Sequence, residues 1–251
     1  MSRYFLELSY LGTRYSGFQV QDNANTVQAE VEKALAVLLR QPIVCTGSSR
    51  TDAGVHSLQN FFHFDFEGEL STATTYKLNA ILPTDIAVIS IKLVLPEAHC
   101  RFDAIARRYR YVLFERKDPF LQDRGWFYPY PLNLEVLKAV ADLVLVNSDF
   151  TSFAKRNSQV KTFTCTISES VWERSGNGWV YRVRANRFLR GMVRGLVGTM
   201  LQAGRGNITV EEFRGIMEGR NNQLADFSAP GKGLFLDQVI YPPGYFVRAT
   251  E

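Results

Sequence analysis

The chain has 251 residues, 46% of them hydrophobic, which is enough apolar side chain to fill one large core or two modest ones. Its 29 Lys and Arg exceed its 25 Asp and Glu by only four charges, so the net charge alone is weak evidence for a polyanionic partner. Three isolated cysteines without C-x-x-C spacing suggest neither a disulfide framework nor a zinc site. No apolar run has membrane-spanning length, so we expect a cytoplasmic protein with no membrane partner.

The first half of the chain shows the order strand, helix, strand, strand, helix, strand. A helix is predicted from about Val27 to Arg40, because Asn25 or Thr26 can cap it and apolar residues recur at helical spacing until Pro42. A second helix is predicted over residues 75–82. The predicted strands cover residues 4–9, 43–46, the stretch that carries Phe62, Phe64 and Phe66, and 86–95.

The second half repeats this order without repeating residue identity. Its predicted elements are a strand over 104–115, a helix over 134–146, a hairpin of strands 164–174 and 179–185, a helix from about Phe188 to Gln202, a capping-box helix from Thr209 to near Gly219, and a strand over 234–241. We therefore predict an α+β protein made of two pseudo-symmetric ferredoxin-like (βαββαβ) halves, residues 1–103 and 104–251. The halves are expected to form one mostly antiparallel sheet with a central active-site cleft.

Arginines cluster in two stretches that contain few acidic residues, 101–111 and 182–205. Arginines interleaved with aromatic residues are typical of a nucleic-acid surface, because the guanidinium group pairs with phosphates and stacks on bases. On the predicted helix, Arg187, Arg190 and Arg194 fall on one face at i, i+3 and i+7. Solvated strand faces are the alternative interpretation of these charges.

The segment 48–57 is rich in small residues but carries Arg50, Asp52 and His56. Small neighbours allow a substrate to approach closely, and Arg50 could keep the Asp52 carboxylate ionised and aimed. Alternatively, Asp52 forms an Asx-turn that only shapes the loop. We expect His56 to shape the loop through a hydrogen bond. The spacing of His56, His63 and His99 indicates no metal site.

Six short motifs occur in order along the chain. Residues 50–56 read R-T-D-A-G-V-H, residues 106–111 read A-R-R-Y-R-Y and residues 149–153 read D-F-T-S-F, while the other three occupy 10–19, 186–194 and 229–236. Together they span nearly the whole chain and resemble the motifs of the tRNA pseudouridine synthase A family. The chain departs from the family pattern at Leu11, Phe18 and Ser49, where the family usually has Asp, Trp and Gly.

The resemblance implies a pseudouridine synthase fold and a homodimer that converts uridine to pseudouridine in the anticodon arm of tRNA. This reaction breaks the bond from ribose C1′ to uracil N1 and joins C1′ to C5, so it needs no redox cofactor and no metal. The resemblance also implies that Asp52 is the catalytic residue. A single carboxylate can act as a nucleophile at C1′ or C6, or as a base that removes a ribose proton, and the sequence does not separate these routes.

Other site residues follow from the same resemblance. Tyr109 is expected to line the catalytic pocket, although alternation along its strand also permits ordinary sheet surface. Arg194 is expected to reach that pocket, and Arg50 is expected to fill the gap left by a flipped-out nucleotide while it supports Asp52. The remaining candidate RNA contacts are Arg14, Gln19, Arg107, Arg187 and Arg190.

Two other classes of protein share some of these features. A non-catalytic RNA-binding protein with two RRM-like halves would share the basic surface, but it gives no reason for the loop around Asp52. An aspartic hydrolase would need a second carboxylate loop to share a proton with Asp52, and the chain has no such loop.

Overall fold

The structure is a computed structural model that describes residues 1–155 and 160–246. It contains two compact units, the first formed by Met1–Ile105 and the chain from Leu236 onward, the second by Ala106–Phe235. The boundary thus lies two residues beyond the predicted division, and the end of the chain returns to the first unit. A backbone bond from the Ile105 amide to the Ile240 carbonyl, 2.8 Å long, is one of the contacts that hold it there. No helix of the described residues is long and apolar enough to cross a membrane.

The first unit is built on an antiparallel sheet with one face covered by two helices. Its elements are strands β1 (Ser2–Tyr10), β2 (Thr46–Gly47), β3 (His56–Phe66) and β4 (Ile86–Val94), and helices α1 (Val27–Leu39) and α2 (Ala73–Ile81). Strand β1 lies between β4 and β3, and the short β2 pairs with β3. Alternate residues of β1 and β3, such as Leu6 and Phe62, form the core with Val31 and Leu35 of α1.

Helix α1 has the ends that the sequence predicts. The hydroxyl of Thr26 accepts a bond from the Ala29 amide at 3.3 Å, which satisfies one of the free N–H groups of the first turn. The helix ends where Arg40 takes a left-handed conformation, with φ of 57°. The strand predicted over residues 43–46 is wrong in extent, because only Thr46–Gly47 pairs with a neighbour.

The second unit also has an antiparallel sheet. Its elements are strands β5 (Ala106–Phe114), β6 (Trp126–Phe127), β7 (Ile167–Ser175) and β8 (Gly178–Ala185), and helices α3 (Leu134–Val146), α4 (Met192–Gly204) and α5 (Val210–Glu218). Strand β8 lies between β5 and β7, and β6 pairs parallel with β5. The predicted hairpin and the Thr209–Glu212 capping box are both confirmed. The last strand, β9 (Leu234–Ile240), pairs with β3.

Helix α4 begins four residues later than predicted. Gly191 takes a left-handed conformation with φ of 73°, and the Met192 amide bonds to the Leu189 carbonyl in a turn that precedes the helix. The predicted helical face of Arg187, Arg190 and Arg194 is therefore wrong. Of the three arginines, only Arg194 lies on the helix.

Candidate active site

The segment 48–57 connects β2 to β3 and separates its side chains into two groups. Arg50 and Ala53 are exposed, and Asp52 is partly exposed. The buried members are Ser48, Ser49, Thr51, Val55, His56 and Ser57. The loop is therefore anchored through its buried side chains, and it presents Arg50 and Asp52 on its outer side.

Backbone hydrogen bonds hold this loop on both sides of Asp52. The Phe18 amide donates to the Thr51 carbonyl at 3.1 Å, and the Val55 amide donates to the Asp52 carbonyl at 3.1 Å. Gly54 has φ of +74°, a conformation that residues other than glycine rarely adopt. This conformation closes the turn after Asp52. The peptide that carries Asp52 is thus fixed before and after its Cα atom.

The motif of residues 10–19, referred to as the opening motif, packs directly under the loop. Gly12 is buried so closely that an added Cβ would lie 2.0 Å from the Val55 carbonyl oxygen. The Gly12 amide also donates to Nδ1 of His56 at 3.0 Å, which confirms the expected loop-shaping bond. Gly12 therefore joins two motifs that are far apart in the sequence, residues 10–19 and residues 50–56.

The three departures from the family pattern are accommodated in different ways. Phe18 is 1% exposed and stacks on Phe62 with ring centroids 4.6 Å apart, so it serves the core of the first unit. Ser49 has no positive φ, so its side chain introduces no backbone strain. Leu11 is exposed, and its amide donates to the Asp85 carbonyl. The same Asp85 accepts bonds from Arg14 at 2.7 Å and from the Tyr15 hydroxyl at 2.6 Å.

Three other candidate residues of the first unit lie at its surface. Arg14 is paired with Asp85 but its side chain is 64% exposed, and Gln19 and Arg50 are also exposed. The support of Asp52 by Arg50 stays a prediction.

Tyr109 lies in the second unit, on β5 opposite Val183. It is only 8% exposed, and its ring meets Phe188 edge-on with centroids 4.9 Å apart. This burial rules out the open sheet surface that strand alternation also permitted. The sequence did not indicate the contact with Phe188, which depends on the chain leaving its extended path just before α4.

Arg194 lies in the first turn of α4, and its Nε donates to the Ala229 carbonyl at 2.6 Å. The segment 226–230 lies against the glycine-rich side of this helix. An added Cβ at Gly198 would lie 2.2 Å from the Asp226 carbonyl oxygen, so close packing accounts for a glycine that weakens the helix. Beside it, burial raises the pKa of Tyr111, whose hydroxyl donates to the Pro230 carbonyl at 2.8 Å.

The other arginines proposed to contact RNA occupy varied positions in the second unit. Arg107 is half-buried on β5, opposite Ala185. Arg187 is half-buried and donates to the Thr162 hydroxyl at 3.3 Å, whereas Arg190 is exposed. The structure thus leaves Arg190 most accessible, and it ties Arg187 to its own unit.

His63, His99 and Cys100 meet in the first unit, which their sequence spacing did not indicate. Their potential metal-binding atoms lie within 4.8 Å of one another. However, Nδ1 of His63 accepts the Cys100 amide at 3.3 Å, and Nδ1 of His99 accepts the Arg101 amide at 3.2 Å. Burial lowers the pKa of His63 to about 4, helped by His99 and Arg3. These contacts fit the structural roles expected for both histidines.

Comparison with known proteins identifies the family. A sequence model described as tRNA pseudouridine synthase matches residues 8–103 and 147–242. A tRNA pseudouridine synthase A of Parabacteroides distasonis is 44% identical over 98% of this chain and 98% of its own length. One of Bacteroides thetaiotaomicron is 44% identical over 100% of this chain and 95% of its own length. One of Staphylococcus aureus is 34% identical over 94% of this chain and 91% of its own length.

Matches of this extent, together with the loop around Asp52, define an RNA-modifying isomerase that acts on tRNA. The chain belongs to the tRNA pseudouridine synthase family, whose reaction converts uridine to pseudouridine.

Proposed function

We propose that this protein forms pseudouridine in the anticodon arm of tRNA, with Asp52 as its catalytic carboxylate. The observation that carries the proposal is that Asp52 is partly exposed on a loop whose residues Thr51 and Val55, on either side of it, are buried. Thr51 and Val55 are 9% and 3% exposed, and the loop contains no second carboxylate. A reactive group held by a rigid scaffold but open to one side is what catalysis on a large substrate requires.

The proposed chemistry conserves atoms and electrons. The C1′–N1 bond breaks, the uracil turns, C5 bonds to C1′, and the proton that leaves C5 is balanced by one gained at N1. Asp52 serves as a nucleophile at C1′ or C6, or as the base that removes a ribose proton. Because the target base is stacked in the RNA, it has to be flipped out before Asp52 can reach it.

Other residues have supporting roles in this proposal. The ring of Tyr109 stacks on the flipped uracil and its hydroxyl assists a proton transfer, and Arg194 binds a phosphate or carboxylate in the pocket. Exposed Arg50 fills the space that the flipped nucleotide leaves. The proposed contacts to the rest of the RNA are Arg14, Gln19, Arg107, Arg187 and Arg190. We place the enzyme in the cytoplasm with its tRNA substrate, as a homodimer that grips one tRNA with both subunits.

We further propose that the two units are pseudo-symmetric and ferredoxin-like. In the first unit, the third strand β3 lies between the first strand β1 and the second strand β2. In the second unit β8, the last strand of the hairpin, likewise lies between β5 and β7. A helix lies between two of these strands in chain order in both units, α1 between β1 and β2 and α3 between β5 and β7. This shared order supports a common βαββαβ plan.

Replacement of Asp52 by Asn tests the catalytic proposal. The variant is nearly isosteric and loses only the charge, so we expect normal folding, normal tRNA affinity and no release of tritium from C5-labelled uridine in tRNA. The matched control is Asp142→Asn, an exposed helical aspartate on α3, which should turn over normally. Sustained release by a folded Asp52→Asn variant would refute the role of Asp52. A wild-type protein that binds tRNA without release would instead be the non-catalytic RNA-binding alternative.

A further inference from the structure

Three buried polar side chains join the loop of Asp52 to the sheet beneath it. The hydroxyl of Tyr10 lies 2.8 Å from Oγ1 of Thr51, the residue directly before Asp52. Nδ2 of Asn60 donates to the Ser49 carbonyl at 2.8 Å and lies 3.5 Å from the Tyr10 hydroxyl oxygen. Tyr10, Thr51 and Asn60 are 4%, 9% and 0% exposed. We refer to these three residues as the clamp.

We infer that the clamp positions the Asp52 carboxylate for catalysis, with the Tyr10 hydroxyl as its central member. The inference rests on the proposed catalytic role of Asp52. None of the three clamp side chains needs to touch the substrate, so all three are positioning residues. Their action on the reaction passes through the backbone of Ser49 and Thr51.

The clamp is anchored in the sheet of the first unit. Tyr10 ends β1 and pairs with Ser57 of β3, and Asn60 lies further along β3. The two strands therefore hold the loop at residues 49 and 51, one on each side of Arg50. Consecutive Cα atoms are about 3.8 Å apart, so a displacement of Thr51 is transmitted directly to Asp52.

The orientation of the Asn60 amide is fixed by its surroundings. Its Oδ1 accepts the Phe61 amide at 2.9 Å, which turns Nδ2 towards the Ser49 carbonyl. Asn60 can therefore donate to Ser49 and to Tyr10 but cannot exchange its two ends without leaving a buried carbonyl unsatisfied. This arrangement gives the clamp one geometry rather than several.

The chemistry of Tyr10 suits a hydrogen-bonding hub rather than a proton carrier. Burial raises the pKa of Tyr10 to about 12, although the bonds to Thr51, Asn60 and Ser57 oppose the shift. The phenol therefore stays protonated throughout the neutral range. Loss of its hydroxyl should lower turnover equally at every neutral pH and leave the shape of the pH–rate profile unchanged.

Tyr4 provides a matched control on the same strand. It belongs to the same hydrophobic core, is 5% exposed, and donates from its hydroxyl to the Gly68 carbonyl at 2.9 Å. Gly68 lies beyond the end of β3, away from the loop of Asp52 in the sequence. Tyr4→Phe thus removes one buried hydroxyl from β1 without touching the clamp.

The test compares Tyr10→Phe, Thr51→Val, Thr51→Ser and Tyr4→Phe in the full-length enzyme, with kcat, KM and Tm measured for each. A misplacement of about 1 Å can cost about 100-fold, so we expect Tyr10→Phe and Thr51→Val to lower kcat by about 10- to 100-fold with KM nearly unchanged. Thr51→Ser keeps the hydroxyl and should restore most of kcat. The double variant Tyr10→Phe/Thr51→Val should be no slower than the worse single variant, because both changes remove the same bond between Tyr10 and Thr51.

Each result decides the inference. Wild-type kcat in Tyr10→Phe and Thr51→Val would overturn it, as would an equal loss in Tyr4→Phe, which would reduce the effect to general destabilisation. Asp52→Asn, measured in parallel, separates a failure of the positioning inference from a failure of the proposed catalytic function. An inactive Asp52→Asn with normal clamp variants overturns only the inference, whereas an active Asp52→Asn overturns the proposed function as well.

Discussion

The backbone N–H of Gly12 donates a hydrogen bond to Nδ1 of His56, 44 positions further along the chain. A ring nitrogen that accepts a bond carries no proton, so neutral His56 holds its hydrogen on Nε2. His56 is 0% exposed, and its ring orientation is therefore set by the opening motif. The loop of Asp52 and the opening motif form one structural element, in which Gly12 lies at the contact point.

Gly12→Ala should disrupt this element. The new Cβ would meet the Val55 carbonyl oxygen at 2.0 Å, which no rotamer change can relieve because the obstacle is backbone. We expect a loss of about 2–4 kcal/mol in the free energy of unfolding, and a large loss of tritium release. Gly215→Ala is the control, since nothing lies within 4 Å of that helical site and the change should be neutral or slightly stabilising. Equal unfolding midpoints in urea for the two variants would contradict the packing argument.

Stability should rise with pH between about 4 and 6.5 because of His63. Burial lowers the pKa of His63 to about 4, whereas the same side chain in the unfolded chain titrates near 6.5. Within this window the unfolded chain binds the extra proton, so acidification favours unfolding. Asp65 and Asp103 face the ring and oppose the shift, while His99 and Arg3 reinforce it. We expect a contribution on the order of 1–3 kcal/mol, fully lost near pH 4.

Urea unfolding of the wild type and His63→Gln at several pH values measures this contribution. The variant should show a smaller slope of stability against pH between 4 and 6.5, whatever its absolute stability. The pKa of Asp65 is lowered mainly by its bond to Arg3, so Asp65 loses its contribution at lower pH in both proteins. Parallel curves for the two proteins would mean that His63 does not titrate in this window.

Two substitutions at Tyr109 separate stacking from proton transfer. Tyr109→Phe keeps the ring and its edge-on contact with Phe188, and we expect tRNA binding to persist while turnover falls, by about 100-fold or more if the hydroxyl transfers a proton. If Tyr109→Phe is fully active and Tyr109→Leu is not, the ring is used for stacking alone. Normal kcat in both variants, measured at saturating tRNA, would remove Tyr109 from the pocket.

Replacing Arg187 and Arg190 together by Gln should weaken tRNA binding and reduce its salt dependence. For every phosphate that an arginine no longer neutralises, the log–log salt slope should fall by about one unit. Because Arg187 already bonds to Thr162, the exposed Arg190 should account for more of the change. Lys138→Gln with Arg214→Gln removes two positive charges from exposed helical positions as a control. If this control flattens the slope equally, the effect comes from net charge and not from direct binding by Arg187 and Arg190.

The sequence predicted correctly those elements whose ends are determined by a few adjacent residues, such as a capping residue. Helix α3 runs over Leu134–Val146 as predicted, because Asn133 caps it with bonds to two amides of the first turn. The start of α4 was mispredicted, because an apolar repeat continues through Gly191 and nothing local reveals its left-handed conformation. Strand β6 was missed because two residues carry no periodicity.

The candidate site divides in the same way. The motif around Asp52 identified the loop, but the bond between Tyr10 and Thr51 joins residues 41 positions apart and depends on the register of β1 against β3. The meeting of His63 with His99 and Cys100 depends on tertiary packing in the same manner.

The return of the chain to its first unit has a consequence for synthesis on the ribosome. Residues 106–235 form the second unit from one continuous stretch of chain, whereas the first unit is complete only when β9 pairs with β3. At about 5–20 residues per second this interval lasts roughly 6–26 s, during which an edge of β3 is open to another chain. The earlier-made unit is therefore completed last, and nascent chains that carry the sequence up to Ile105 are the ones that should depend on chaperones.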